Sequence, residues 1–383
     1  MSLRWCAVIV AAQTGGEAGE SLLTKADVVP YLLDAGLVEN GALTHARLLV
    51  SDASRRNRVF VVTGPERLGY VVKQPRSRDD SAVAREAAVL RKLRSLDVAR
   101  HLGRFLPTVV AYDACEHVLV LDTDPAARDL RAQFGRGRFS IALARASGRA
   151  LASLHRLPPA AVGTRPGALD PAWHLSWHRP RLREFFELSF AGMELLRLVQ
   201  GSDELCGVLD DLRRSWRADT LIHGDVRWDN WVALPATASG RRTRVILLDW
   251  EVAGPGDPCL DIGAFLAEYL SAWINSIPIV DSRDPGRMLR HARRPLDRMQ
   301  PAIRAFWTAY CRTSNQRAHE MALARAVQFA AARLLQAAVE ESAADSELRA
   351  HTVAAVQLAV NIVQRPGDAA ARLLGLPVPA VML

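Results

Sequence analysis

Lysine is nearly missing from this chain: among 49 basic residues only Lys25, Lys73 and Lys92 are not arginine. Arginine used this freely suits solvated helix faces, where the stem lies on apolar surface and the guanidinium stays in water. A nucleic-acid-binding module would need those cations interleaved with exposed aromatics on one face, and no such pattern occurs. Long apolar runs are also lacking. No stretch approaches the roughly 20 residues that span a bilayer. The nearest, Trp5 to Ala12, falls in a leader (residues 1–20) expected to be flexible, and Gln13-Thr14 after it is a poor signal-cleavage context. The five cysteines (Cys6, Cys115, Cys206, Cys259, Cys311) are odd in number and scattered, with no CxxC spacing. That disfavours a disulfide framework or a zinc ribbon and suits a reducing cytoplasm.

What is present is a large stock of core. Of 383 residues, 49% are apolar, enough for two domains sharing a cleft. The formal charge is +8, so a polycationic ligand would be repelled unless its pocket were locally acidic.

Thr24 to Gly36 has helical spacing, with Thr24 as N-cap and Gly36 as stop. Three strand-like runs follow at Ala46 to Val50, Arg58 to Val62 and Gly69 to Lys73. Ser81 to Leu96 is amphipathic at helical period, and His117 to Leu121 is a short apolar strand. Beyond Pro125 the pattern turns helical, at Phe139 to Leu157, Leu182 to Val199 and Asp203 to Arg217. An irregular insertion rich in Pro, Gly and Trp interrupts it at Pro158 to Pro180. Two short strands flank a polar turn at Pro235 to Arg242, and from Ile262 to Leu374 everything but the Asp281 to Arg287 loop is helical. The expected class is α+β, with a small sheet-rich lobe over residues 21–121 and a large helical lobe over 122–383.

The chemistry concentrates in His223-Gly224-Asp225-Val226-Arg227-Trp228-Asp229-Asn230. Nineteen residues after Asn230, the apolar run Arg244 to Leu248 delivers Asp249 at its end, where a buried-type strand needs a cation to balance the acid. Phosphoryl transfer needs charge neutralised on a nucleotide and a hydroxyl aimed in line. Asp249 and Asn230 offer hard oxygens for Mg2+, and Asp225 can accept the hydroxyl proton. Upstream, Lys73 closes an apolar strand in a chain that otherwise uses arginine, which marks it as a phosphate ligand. Glu86, thirteen residues on and on the following helix, can hold it there.

Together with Leu248-Asp249-Trp250-Glu251 and Gly256-Asp257-Pro258-x-x-Asp261, these residues resemble the aminoglycoside phosphotransferase and choline kinase-like family from about residue 45 onward. The resemblance implies a bilobal protein-kinase-like fold with ATP between the lobes. It implies Asp225 as catalytic base, Asn230 and Asp249 as metal ligands, Lys73 on the α/β-phosphates and Glu86 as its brace. Leu121, Asp122 and Thr123 match the adenine-reading hinge, and Asp261 matches an acid that ties the helical lobe to the catalytic loop.

Two departures stand out. Val226-Arg227-Trp228 replaces an apolar residue, His and Pro, setting a cation and a large aromatic beside the base, either to stabilise the transferring phosphate or to shape the acceptor pocket; Arg227 is taken as a second catalytic residue. The loop Ser51 to Asn57 contains no glycine, so phosphate contact is expected from Ser54, Asn57 or an arginine. Trp173-His174 and Trp177-His178 are read as packing or pocket-lining pairs, not a zinc site. Few acids are in view for a polycation. Ser54-Arg55-Arg56-Asn57-Arg58 and Arg227-Trp228 resemble the lanthipeptide-type branch, which implies as favoured acceptor a Ser or Thr hydroxyl of a biosynthetic precursor peptide with an acidic leader. A small-molecule kinase (aminoglycoside, sugar or other metabolite) and a non-catalytic pseudokinase scaffold are the alternatives.

Overall fold

The computed structural model describes residues 22–38, 48–65, 67–77, 79–163, 170–234, 243–278, 291–314 and 319–378. The leader, the Pro235 to Arg242 turn and the Asp281 to Arg287 loop lie outside them.

A helix α1 (Val28–Asp34) precedes strands β1 (Leu49–Asp52), β2 (Arg58–Thr63) and β3 (Gly69–Gln74). Thr24 does not cap α1. Its N–H and hydroxyl both donate to the Asp27 carboxylate, at 2.8 and 2.5 Å, so a closed turn comes first and the helix starts four residues later. Helix α2 (Ala82–Ser95) follows, then β4 (Thr108–Asp113) and β5 (Val118–Asp122). All pairings in the five-stranded sheet are antiparallel, in the order β1-β2-β3-β5-β4. Strand β4 escaped the sequence reading because it is a half-exposed edge without a clean alternation.

Strand β5 shows why its sequence is uniformly apolar. Successive side chains point to opposite faces. Val118 and Val120 join Phe60, Val62, Val72 and the α1 residues Val28 and Leu32 on one face. Leu119 and Leu121 face the other way, into the core that holds Val83, Ala87, Leu90 and Leu93 of α2. Each such side chain contributes about 1.5–3 kcal/mol on burial. The sheet is thus covered on both faces, which fixes α2, and with it Glu86, across β3.

After a two-residue strand β6 (Arg128–Asp129) come α3 (Leu130–Gly135) and α4 (Ile141–Leu154). The N–H groups at the start of α4 need an acceptor, and the Ser140 hydroxyl takes that of Leu143 at 3.3 Å. The helix expected over Leu182 to Val199 is broken into α5 (Leu182–Phe186) and α6 (Phe190–Gln200) by Ser189, whose hydroxyl accepts the Gly192 N–H at 2.9 Å and so restarts the helix. Next is α7 (Asp203–Arg214).

Strands β7 (Thr220–Ile222), β8 (Trp231–Leu234), β9 (Arg244–Leu247) and β10 (Gly254–Gly256) form two small sheets, β10-β7 and β6-β8-β9. They clamp the His223 to Asn230 segment from both ends. The rest is helical: α8 (Pro258–Ile274), α9 (Leu296–Ser314), α10 (His319–Ser342) and α11 (Ala350–Gln364). Helices α8 and α10 approach so closely at Gly263 that a Cβ there would lie 2.6 Å from the Phe329 Cβ and 2.7 Å from the Ala326 carbonyl oxygen. Among the described residues, no helix is long and apolar enough to cross a membrane.

Candidate active site

The two lobes enclose a cleft of about 960 Å3 lined by Lys73, Asp225, Asn230 and Asp249. Four elements deliver these side chains. Lys73 comes from β3, and its Nζ lies 2.7 and 3.0 Å from the two Glu86 carboxylate oxygens. The same ammonium reaches Asp249 Oδ1 at 3.0 Å. Burial opposes the charge on Lys73, but Glu86 and Asp249 outweigh it and hold the ammonium well above its ordinary range. Burial likewise works against the Asp249 carboxylate, and the charge and hydrogen bond of Lys73 reverse that, leaving it below its ordinary value. Asp249 sits in the left-handed region (φ 67°), a conformation Asp tolerates better than most residues.

The His223 to Asn230 loop is held through its backbone N–H groups. The Asp261 carboxylate, fully buried on α8, accepts the N–H of His223 at 2.8 Å and of Gly224 at 2.9 Å. Its Oδ2 also lies 3.1 Å from His155 Nε2, and His155 Nδ1 is 3.0 Å from the Tyr310 hydroxyl. Gly224 has φ +82°, which turns the chain so that Asp225 enters the cleft. Asn230 Nδ2 donates to the Asp225 carbonyl at 2.9 Å and to its carboxylate at 3.2 Å. The amide oxygen of Asn230 is thereby directed away from Asp225. Burial raises the Asp225 carboxyl above its ordinary value, partly offset by Arg333, Arg227 and His223.

Asn230 and Asp249 fit a magnesium ion in donor type: one amide oxygen and one carboxylate, both hard. Among the described residues no cluster of three or more His, Cys, Asp or Glu could hold a metal unaided. A two-oxygen protein set suits Mg2+, which keeps waters and takes substrate phosphate oxygens.

A model of the phosphotransferase enzyme family matches residues 45–301. The chain belongs to that family. No curated protein matches its sequence. Solved structures similar to it include an ethanolamine kinase from Plasmodium vivax (12% identity, TM-score 0.55), covering 91% of this chain and 92% of that one. Another is a choline kinase from Cryptosporidium parvum (12%, TM-score 0.54), covering 92% and 99%. A third is a choline/ethanolamine kinase family protein from Mesorhizobium loti (15%, TM-score 0.52), covering 90% and 96%. At such identities the likeness shows the fold, which is kinase-like.

Within this phosphotransferase the expected residues do not all sit where the sequence suggested. Thr123 lines the cleft and its N–H donates to the Gly69 carbonyl at 3.1 Å. Leu121 is packed into the core under α2, and the Asp122 side chain is exposed. Ser54 is bound to its own loop, where its hydroxyl accepts the Val59 N–H at 3.0 Å. Asn57 is buried and donates to Glu251 at 3.0 Å. Arg227 bonds Glu340 on α10 at 2.7 Å. Trp228 does not shape the pocket: it is buried against Phe134, Phe139 and Tyr269, with ring centroids 4.8–6.3 Å away, so the aromatic that follows Arg227 anchors the loop to the core.

Two residues, Glu268 and Arg333, were not found from sequence. Glu268 on α8 accepts the Trp228 N–H at 3.0 Å, and Arg333 on α10 faces Asp225 and pairs with Glu340 of the same helix. Arg333 Nη2 is 4.0 Å from Asp225 Oδ1 and its Nη1 is 3.4 Å from Glu340. Glu268 and Arg333 are lone charges inside apolar helical runs, a signal that was available. The scarcity of acids inferred for the pocket is also corrected. Among the described residues the cleft lining carries eight carboxylates against five cations, because Asp170, the Asp225–Asp229 loop and Glu340, far apart in sequence, meet there.

Proposed function

We propose that the protein is an Mg2+- and ATP-dependent O-phosphotransferase whose acceptor is the hydroxyl of a small molecule. The observation that carries this is the convergence of Lys73, Asp225, Asn230 and Asp249 on one cleft, with Lys73 braced by Glu86 and already in contact with Asp249. Lys73 would hold the α/β-phosphates, and Asn230 and Asp249 would hold the metal, which neutralises phosphate charge. The Thr123 segment would read the adenine edge. Residues 21–121 would form the nucleotide-binding lobe and 122–383 the lobe that carries base and acceptor wall. Asp225, beside the acceptor, would take the proton as the hydroxyl oxygen bonds to the γ-phosphorus and the leaving oxygen departs with ADP.

The cleft is also lined by Asp170, Pro171, Trp173, Gln336 and Glu340, an aromatic with polar groups that would serve as the acceptor wall. The precursor-peptide reading of the lanthipeptide-type branch finds less support. Three of the arginines that an acidic leader could use are engaged within the fold: Arg128 with the Pro125 and Ala127 carbonyls, Arg131 with Asp229 and Glu268, Arg227 with Glu340. Small alcohols are the acceptors named for the similar choline and ethanolamine kinases, which favours the small-molecule reading. A cytoplasmic setting accords with the free thiols of Cys115, Cys206, Cys259 and Cys311.

The test is transfer of labelled γ-phosphate from Mg-ATP to a pool of amino alcohols, sugars and aminoglycosides, and to acidic Ser/Thr peptides, with Asp225→Ala beside each. Label on the small molecules, lost in the variant, is expected. Label on the peptides alone would overturn the choice of acceptor, and label on neither would overturn the reading.

A further inference from the structure

The loop between β1 and β2 lacks glycine, and its hydrogen bonds show what that costs. A phosphate-cradling loop offers backbone N–H groups to the nucleotide. Here three successive N–H groups are already used: Ala53 to the Val59 carbonyl (2.8 Å), Ser54 to the Asp52 carboxylate (2.8 Å) and Arg55 to the Asn57 carbonyl (3.1 Å). The Ser54 hydroxyl and the Asn57 amide are engaged as well. The loop also presents two arginines to the cleft. Arg56 is shared between Glu251 at 3.4 Å and Asp80 at 3.9 Å.

Arg55 differs. Its side chain is 76% exposed, and it crosses the cleft to Asp229, 2.8 Å away and next in sequence to the metal-site residue Asn230. Asp229 does not depend on it. Arg227 stands 3.6 Å and Arg131 3.7 Å from the same carboxylate, and each is also held by a second acid, Glu340 and Glu268 respectively. Removing Arg55 therefore costs Asp229 one hydrogen bond and leaves it with two countercharges. The guanidinium is positioned at the catalytic loop, in the cleft that Lys73 and Asp249 also line, and can exchange its carboxylate for a phosphate.

We propose that Arg55 is a catalytic residue that leaves Asp229 for the nucleotide and places its guanidinium on the γ-phosphoryl group during transfer, in the role that glycine-loop amides fill elsewhere. This rests on the phosphotransferase reading above. Arg55 makes and breaks no covalent bond. The acceptor oxygen bonds to phosphorus, the bond to the ADP oxygen breaks with its electron pair leaving on ADP, and the acceptor proton passes to Asp225. Arg55 neutralises charge on the equatorial oxygens as the group moves, an interaction stronger in the transition state than in bound ATP.

The experiment compares wild type, Arg55→Ala, Arg55→Lys and Asp229→Asn in steady-state transfer, and in binding of Mg-ADP with and without aluminium fluoride. Arg55→Ala is expected to lower kcat by about 100-fold or more, by analogy with arginines supplied to other phosphoryl-transfer sites. It should leave the KM for ATP within about threefold, since an interaction made only in the transition state moves kcat alone. Binding of the aluminium fluoride complex should weaken by a similar factor while Mg-ADP binding holds. Arg55→Lys should recover part of the rate, and Asp229→Asn should fall well short of the Arg55→Ala loss. Equal losses in Arg55→Ala and Asp229→Asn, with both ADP complexes weakened alike, would reduce Arg55 to a latch. An active Arg55→Ala beside an inactive Asp225→Ala would overturn this inference and leave the phosphotransferase reading standing; a wild type inactive on every acceptor would overturn both.

Discussion

Asp261→Asn tests how the catalytic loop is held. In the wild type one carboxylate, with no exposed surface, accepts two backbone N–H groups at 2.8 and 2.9 Å and lies 3.1 Å from His155 Nε2. An asparagine keeps one oxygen and turns an NH2 toward a donor, so at least one buried N–H loses its acceptor. That costs about 1–3 kcal/mol, and loss of the charge from the remaining bonds brings the expected total to about 3 kcal/mol. Gly224 would then lose part of its anchor, and Asp225 its aim. We expect kcat to fall about tenfold, equal to about 1.4 kcal/mol, with the KM for ATP little changed. Urea unfolding followed on the helical lobe, together with Mg-ATP turnover, reads both quantities. The pH dependence supplies a signed check. Burial pushes Asp261 up, but the His155 bond and charge and the His223 N–H outweigh it, so its folded pKa lies below the ordinary 3.8. Its contribution is therefore complete above the unfolded value and is lost as pH falls through the lower folded one. The stability of the wild type should drop steeply below about pH 4, and that of Asp261→Asn should be flatter there. A variant that loses less than about 1 kcal/mol and keeps kcat within twofold would refute the reasoning.

Lys73→Met leaves Glu86 buried without its cation, so it should destabilise the fold by about 3 kcal/mol and raise the KM for ATP at least tenfold, as read by thermal melting and nucleotide titration. Gly263→Ala forces a methyl into the α8–α10 contact, and calorimetry should find a loss of about 1–3 kcal/mol with the KM for ATP unaffected. Chelation of Mg2+ should abolish transfer, and Asp249→Asn should raise the Mg2+ concentration needed for half-maximal rate; an unchanged magnesium titration would remove Asp249 from the metal site.

The fold was legible where one element carried its own periodicity. Strands β2, β3 and β5 and helix α2 lie within a residue or two of their expected bounds. Local hydrogen bonds that compete with helix escaped, as the Thr24–Asp27 turn shows. In the site, Lys73 and Asp249 were legible at the ends of apolar strands and Asp225 and Asn230 from their spacing after His223, and the structure brings all four to one cleft. The acceptor side was not. Arg333 and Glu340 lie more than 100 residues beyond Asp225, and only the packing of α10 across the catalytic loop brings them to it. Trp228 was misjudged for a related reason: its neighbours come from two distant stretches, Phe134 to Phe139 and Tyr269, so the aromatic core they form has no linear signature.

The cleft lining has more acids than bases, while the whole chain carries +8. At long range the molecule attracts a polyanion such as ATP; at the cleft wall the carboxylates favour one that arrives with its divalent cation. The first effect is screened beyond about 8 Å at physiological ionic strength, whereas the second acts at contact. Added salt should therefore slow the encounter with nucleotide and leave the bound complex to react at its usual rate, so that capture and chemistry respond separately to the ionic medium.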